Sequence, residues 1–149
     1  MERLSKDGRG GKLADFKAEP FAVACARLLD EPEAAYRLGG GVAAYLADAR
    51  RADFEAMLLC RAQDGAILGF FNLTQIVRRG FQNAYLGYAA GEPFAGQGYM
   101  REGLELVLRS AFTTLRLHRV EANIQPTNVR SLALAQGAGF RREGFSPRY

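Results

Sequence analysis

Phe94-Ala95-Gly96-Gln97-Gly98-Tyr99-Met100-Arg101-Glu102 decides the reading of this chain, because it joins a strand-forming run to the clearest helical pattern in the sequence. Two glycines flank a single residue just where the free backbone N–H groups of a first helical turn point outward. Glycine admits unusual dihedrals and the close approach of a ligand. The helix N-terminus adds donors and the positive end of a dipole. The spacing therefore predicts an anion cradle. Two commoner phosphate-binding patterns are excluded, since the dinucleotide fingerprint needs a third glycine where Arg101 stands and a P-loop needs a Lys-Ser/Thr pair that is absent.

Downstream of the cradle, Met100, Leu104, Val107, Leu108, Ala111, Phe112 and Leu115 recur at helical intervals, which gives one apolar face. Val120, Ala122 and Ile124 then alternate with Glu121, Asn123 and Gln125 as a strand. Pro126-Thr127-Asn128 supplies an N-terminal cap for a helix ending near Gly137. Upstream, the strand Phe81 to Ala90 ends at Gly91-Glu92-Pro93. Before it, the apolar runs Phe54 to Arg61 and Ala66 to Thr74 are separated by Gln63-Asp64-Gly65, a hairpin signal. The order is β-β-β-α-β-α. Farther upstream the pattern weakens: Leu13 to Leu29 reads as loosely helical and broken by Pro20, and Val42 to Arg51 as a helix after the Gly39-Gly40-Gly41 break. Lys6 to Lys12, rich in Gly, Lys and Arg, reads as part of a disordered leader over residues 1–12.

With 149 residues and 48% hydrophobic content, the chain suits one domain with a buried core, set at residues 13–149 with its recognisable part at 54–145. No run approaches the roughly 18 apolar residues of a membrane span, and no apolar signal core follows the N-terminus, so a cytoplasmic protein without a membrane partner is expected. Cys25 and Cys60 lie in apolar runs without metal-ligand spacing and read as small buried hydrophobes, so no metal is expected. The net charge of +4 would suit an anionic partner, but the pairs Arg50-Arg51, Arg78-Arg79 and Arg141-Arg142 are scattered along the chain, and no direct nucleic-acid contact is expected.

Three stretches in this order carry a family resemblance: Gly96-Gln97-Gly98-Tyr99-Met100-Arg101-Glu102, then Arg119-Val120-Glu121-Ala122, then Asn128-Val129-Arg130-Ser131 leading to Gly139-Phe140-Arg141-Arg142-Glu143-Gly144. Together they resemble the acetyl-CoA-binding core of the GCN5-related N-acetyltransferase (GNAT) superfamily, and within it the RimJ/RimL-type enzymes. The resemblance implies an α/β fold with a mixed, mostly antiparallel sheet flanked by helices. It also implies a splay between the third strand of the core and the next, into which the pantetheine arm of acetyl-CoA inserts like an extra strand. Cofactor contacts are then implied for Tyr88, Ala89, Ala90, Gly96, Gln97, Gly98, Tyr99, Met100, Arg101 and Asn128. The superfamily often has Gln or Arg three residues before the first glycine, where this chain has Pro93, so Arg101 or Arg130 would supply the charge.

The same resemblance implies an N-acetyltransferase that moves acetyl from acetyl-CoA to a primary amine. That chemistry needs a neutral amine, a stabilised oxyanion and a proton for the departing thiolate. Backbone N–H groups near Tyr88 to Ala90 are the implied oxyanion donors. The tyrosine that many relatives carry seven residues after the asparagine is Ala135 here. Spacing alone makes Asn128 a cap and Ser131 an ordinary first-turn residue; the RimJ/RimL resemblance instead gives Ser131 the sulfur and Asn128 the orientation of the cofactor. A base is open between Glu121, Glu92 and a water relay. A protein α-amine, with a reference pKa near about 8 against about 10.4 for lysine, needs least help, which favours an N-terminal acceptor such as that of a ribosomal protein. A catalytically incomplete acyl-CoA-binding domain is the alternative. Chains of this type usually continue into another strand beside the one beginning near Phe140, so terminal strands are expected to be missing and a second copy could cover the open edge.

Overall fold

In the computed structural model, which describes residues 1–7, 23–27 and 42–147, the Asp64-Gly65 dipeptide turns the chain as its sequence requires. Gly65 takes φ +70°, and the Asp64 carboxylate accepts from the Arg61 guanidinium at 2.9 and 2.6 Å and from the Ala66 N–H at 3.2 Å. This turn joins β3 (Glu55–Arg61) to β4 (Ile67–Val77), which pair antiparallel. β4 in turn pairs antiparallel with β5 (Asn83–Ala90). Gly69 of β4 is required there: a Cβ on it would lie 2.4 Å from the Ala89 carbonyl oxygen.

The remaining elements are β1 (Glu2–Asp7), β2 (Val23–Arg27), α1 (Val42–Ala49), α2 (Tyr99–Thr113), β6 (Arg119–Ile124), α3 (Val129–Gly137) and β7 (Arg141–Phe145). They form one seven-stranded mixed sheet, in the order β2-β3-β4-β5-β6-β1-β7, with helices packed against it. Every neighbouring pair is antiparallel except β5 and β6, which run parallel and pair only from Asn83–Arg119 to Tyr85–Glu121. Beyond Tyr85 the two strands separate. Among the described residues Leu86 to Ala90 therefore present an unpaired edge toward β6, and this is the expected splay.

β3 sends Met57 and Leu59 into the main core, with Phe71, Leu104, Val107, Ala111 and Val120, and its Ala56 and Leu58 into a second cluster with Tyr45, Phe54 and Phe70. This period of two is that of a strand buried on both faces. α2 lies close on the sheet because Gly103 stands at the contact, where a Cβ would be 2.5 Å from a methyl of Leu59 and 2.8 Å from the Phe71 ring.

Two expectations are corrected. Residues 2–7 are not a disordered leader but strand β1, antiparallel to both β6 and β7. Its only large apolar side chain, Leu4, is fully buried. The polar residues around Leu4 hid this strand, because they are its fastenings. Arg3 pairs with Glu121 at 2.7 Å, Glu2 with Arg142 at 2.5 Å, the Ser5 hydroxyl donates to Glu143 at 2.6 Å, and Lys6 donates to the Ala138 carbonyl at 2.5 Å. β1 thus occupies the place beside β7 where a strand was expected to be lacking. Residues 8–12 lie outside the described residues. Second, the loose helix expected from Leu13 to Leu29 is a strand at Val23–Arg27, paired with residues 57–61 of β3. A short apolar run reads equally as either until a partner strand decides it. The rest of that helix lies outside the described residues. Glu121, a base candidate in the sequence, is buried on its strand.

Candidate functional site

The turn that leaves β5 passes through a short 3-10 segment, Glu92–Phe94, and reaches α2 by way of Gly96 and Gly98. Both glycines adopt left-handed φ, +79° and +89°, and the space a Cβ would enter is empty at each. Arg101 and Glu102 close the first helical turn on the Gly98 carbonyl at 3.0 and 3.3 Å. Ahead of them, the backbone N–H groups from Gly96 to Met100 find no carbonyl acceptor among the described residues. Five consecutive donors at the head of a 15-residue helix make a cradle that fits a pyrophosphate.

Facing it is the start of α3. Asn128 caps this helix by accepting the Ser131 N–H at 3.1 Å on its side-chain oxygen. The Ser131 carbonyl accepts from the Tyr88 hydroxyl at 3.1 Å, so α3 is tied to the unpaired edge of β5. The Ser131 hydroxyl, half-buried, has no hydrogen-bond partner among the described residues. Burial pushes the Tyr88 phenol up, and its hydrogen bond to Ser131 offsets part of that rise, so the hydroxyl remains a donor at neutral pH.

Between these elements lies a cavity of about 690 Å3, lined by Tyr88, Ala89 and Ala90 of β5, by Phe94, Ala95, Gly96 and Gly98 of the turn, by Met100 and Arg101 of α2, and by Asn128, Arg130, Ser131, Ala133 and Leu134 at and in α3. The direction of the β5 amides follows from the ladder. Gly91 donates to Leu68 of β4 at 2.7 Å, so by strand alternation Tyr88 and Ala90 aim their N–H groups the other way, into the splay. Two guanidiniums stand at the cavity, Arg101 at 3.6 Å from Glu105 and Arg130 without an ion pair among the described residues.

Of the residues singled out in the sequence, Tyr88, Ala89, Ala90, Gly96, Gly98, Met100, Arg101, Asn128 and Ser131 line this cavity. Gln97 and Tyr99 do not: the Gln97 amide donates to the Pro93 carbonyl at 3.0 Å, and the Tyr99 side chain packs on the core. Glu121 is also elsewhere, held by Arg3 and Arg119 at 2.7 and 2.9 Å. Glu92 is exposed in the 3-10 segment. Sequence reasoning missed Phe94, Ala95, Ala133 and Leu134 as lining residues. The last two were findable, being three and four residues beyond Arg130 on one helix face. Among the described residues no cluster of three or more His, Cys, Asp or Glu could hold a metal, and no helix is long and apolar enough to cross a membrane.

A family model described as an acetyltransferase (GNAT) domain matches residues 23–141, which take in the splay, the glycine turn and the capped helix. The chain belongs to the GNAT acetyltransferase family. Among curated relatives it is 39% identical over 85 residues to a probable N-acetyltransferase, YjcK, of Bacillus subtilis, covering 57% of this chain and 47% of that protein. It is also 39% identical over 83 residues to the [ribosomal protein uS5]-alanine N-acetyltransferase of Escherichia coli, covering 56% and 43%. The matched region thus spans less than half the length of these relatives. Among solved structures, Mycobacterium smegmatis RimJ in complex with CoA-disulfide aligns with a TM-score of 0.67 at 29% identity, over 72% of this chain and 51% of that one. Spermidine/spermine N-acetyltransferase SpeG from Vibrio cholerae shares the fold, with a TM-score of 0.69 at 17% identity over 83% and 80% of the two chains.

Proposed function

We propose that this GNAT chain transfers an acetyl group from acetyl-CoA to a primary amine, with a protein N-terminal α-amine as acceptor, in the cytoplasm. The observation that carries the reading is the cavity between the unpaired edge of β5 and the head of α3, with the glycine cradle at its rim. An arm with amide groups can pair with that edge while its phosphates take the free N–H groups from Gly96 to Met100. Arg101 and Arg130 add charge. The relative that acts on ribosomal protein uS5 supports an N-terminal acceptor.

The roles follow from position. The N–H groups of Tyr88 and Ala90 polarise the thioester carbonyl and hold the oxyanion as the amine nitrogen adds to carbon. As the C–S bond breaks, the proton leaving nitrogen ends on sulfur, relayed through the Ser131 hydroxyl, which is regenerated. Asn128 positions Ser131 through its cap. Glu121 has no part in this scheme, its carboxylate being engaged by two arginines away from the cavity. The initial neutralisation of the amine falls to water, a small task for an α-amine with a reference pKa near about 8.

Among the described residues no Asp, Glu or His lines the cavity, and this favours a second reading, an acyl-CoA-binding domain without turnover. Titration calorimetry with acetyl-CoA followed by a thiol-release assay on peptides with free N-termini separates the two. Saturable binding with thiol release that Ser131→Ala lowers by about a hundredfold is the expected result. Binding without release on any amine establishes the second reading, and no binding by folded protein overturns both.

A further inference from the structure

Two of the arginine pairs whose scatter in the sequence argued against a nucleic-acid contact, Arg50-Arg51 and Arg78-Arg79, come to the same end of the sheet in the fold, while Arg141-Arg142 lies apart on β7. The Ile76 N–H donates to the Asp53 carbonyl at 3.0 Å, which brings the segment after α1, with Arg50 and Arg51, beside the end of β4, where Arg78 and Arg79 follow. Arg78 donates to the Leu115 carbonyl at 2.5 Å, and the His118 N–H donates to the Gln82 carbonyl at 2.6 Å, which adds the segment carrying Arg116. All of this gathers where β4 ends and β5 and β6 begin, at the opposite end of β5 from the acetyl-CoA cavity.

Among the described residues the charge at this end is not balanced. Asp48 and Asp53 are both committed to Arg51. Arg50, Arg78, Arg79 and Arg116 are exposed and have no carboxylate partner among the described residues. The chain has no acidic residue between Asp64 and Glu92, and none between Glu105 and Glu121. Glu55, at the start of β3, is half-buried. At the same end of the sheet Phe81 is 73% exposed and Val77 44% exposed, two of the four large hydrophobic side chains most open to solvent among the described residues. Water exposure on that scale is unfavourable for a phenylalanine with nothing to stack on it.

We propose that this end of the sheet docks single-stranded RNA, with the four arginines on its phosphates and Phe81 under a base. Planar guanidiniums take phosphate oxygens in pairs and stack on bases, and an exposed aromatic face accepts any base. A purely acidic peptide would use the charges and leave Phe81 without a partner. The assignment to RNA rather than DNA rests on the cytoplasmic location proposed above, where RNA is the common single strand. The surface does not depend on acetyl-CoA chemistry, since it shares no residue with the cavity.

Fluorescence anisotropy of a labelled RNA 12-mer of mixed sequence, titrated with the full chain, tests this. Four phosphate contacts predict affinity that falls about fiftyfold between 50 and 200 mM salt. Phe81→Ala is expected to weaken binding about tenfold. Arg79→Glu with Arg116→Glu is expected to abolish it, with acetyl-CoA affinity and circular dichroism unchanged as the check on folding. Saturating acetyl-CoA should leave the RNA affinity unaltered. The proposal is overturned by absence of binding, by equal binding of the charge-reversed variant, or by displacement with acetyl-CoA. Tighter binding of a DNA 12-mer or of an oligo-glutamate peptide overturns the assignment to RNA.

Discussion

The Tyr88 hydroxyl reaches from β5 to α3 and donates to the Ser131 carbonyl at 3.1 Å, while the Ser131 N–H is held by Asn128 at 3.1 Å. Both polar groups of the Ser131 backbone are thereby fixed, and its hydroxyl is the one part left to serve a ligand. Tyr88→Phe removes a single neutral hydrogen bond, worth about 1 kcal/mol, and keeps the ring contact with Phe71, whose centroid is 5.8 Å away. The melting temperature should fall by about 3 °C. Turnover should fall with little change in the KM for acetyl-CoA, because the serine loses its orientation and the cradle does not. Steady-state kinetics beside a thermal melt reads both effects; an unaltered kcat would separate Tyr88 from the placement of Ser131.

Gly98 and Gly103 sit one and a half turns apart on the same helix and should fail in different ways. A Cβ at Gly98 meets open space, so Gly98→Ala leaves the core alone. It must hold φ +89° at a cost of about 1–2 kcal/mol, and its methyl intrudes on the cradle. Acetyl-CoA affinity should fall about tenfold or more if the methyl displaces even one phosphate contact. Gly103→Ala drives a methyl to 2.5 Å from Leu59 and should cost about 1–3 kcal/mol of stability by overpacking, with the affinity of the folded fraction unchanged. Denaturant unfolding and titration calorimetry on both variants give the contrast.

The elements legible in the sequence are those set by local chemistry. Asp64-Gly65 can make its turn without help from distant residues, Gly96 and Gly98 declare left-handed backbone, and Asn128 caps the helix that follows it. What the sequence hid is fixed by partners far along the chain. β1 offers only Leu4 as an apolar signal, and its place depends on Glu121, Arg142 and Glu143, more than a hundred residues away. Glu121 was a candidate base in the sequence, whereas in the fold β1 covers it and Arg3 and Arg119 neutralise it. Arg130 and Ser131 reach the cavity through a helix predicted from its cap, with Ala133 and Leu134 following on the same face, so this part of the site was legible, while Phe94 and Ala95 needed the turn after β5 to be folded.

Leu4 gives the sharpest test of β1. It is fully buried in the main core, and Leu4→Ala should cost about 2–5 kcal/mol, the usual loss for a leucine truncated in a packed interior. A tail with no fixed structure would show a change near zero. Urea unfolding followed by circular dichroism distinguishes these outcomes, and Arg3→Ala, at an exposed side chain on the same strand, should cost far less than Leu4→Ala.

The acid limb of stability is expected to report on Glu143. The Arg119 guanidinium beside it holds its carboxyl below the usual carboxylate range, and the Ser5 hydroxyl, donating at 2.6 Å, lowers it further. A depressed pKa means that the folded state holds the ionised form more firmly than the unfolded chain, where the reference value is about 4.3. The contribution is therefore complete above that reference and disappears as pH falls through the lower folded value. Because the side chain is 35% exposed, solvent screening limits it to below about 1 kcal/mol. Glu143→Gln should lower the melting temperature slightly at pH 7 and lose that difference as pH falls through the lowered folded value, where the wild-type carboxylate becomes protonated. Melts from pH 3 to 8 read the two curves directly. A gap that does not narrow at all on the acid side of the range would assign the effect of the substitution to packing between β1 and β7 rather than to the charge that links them.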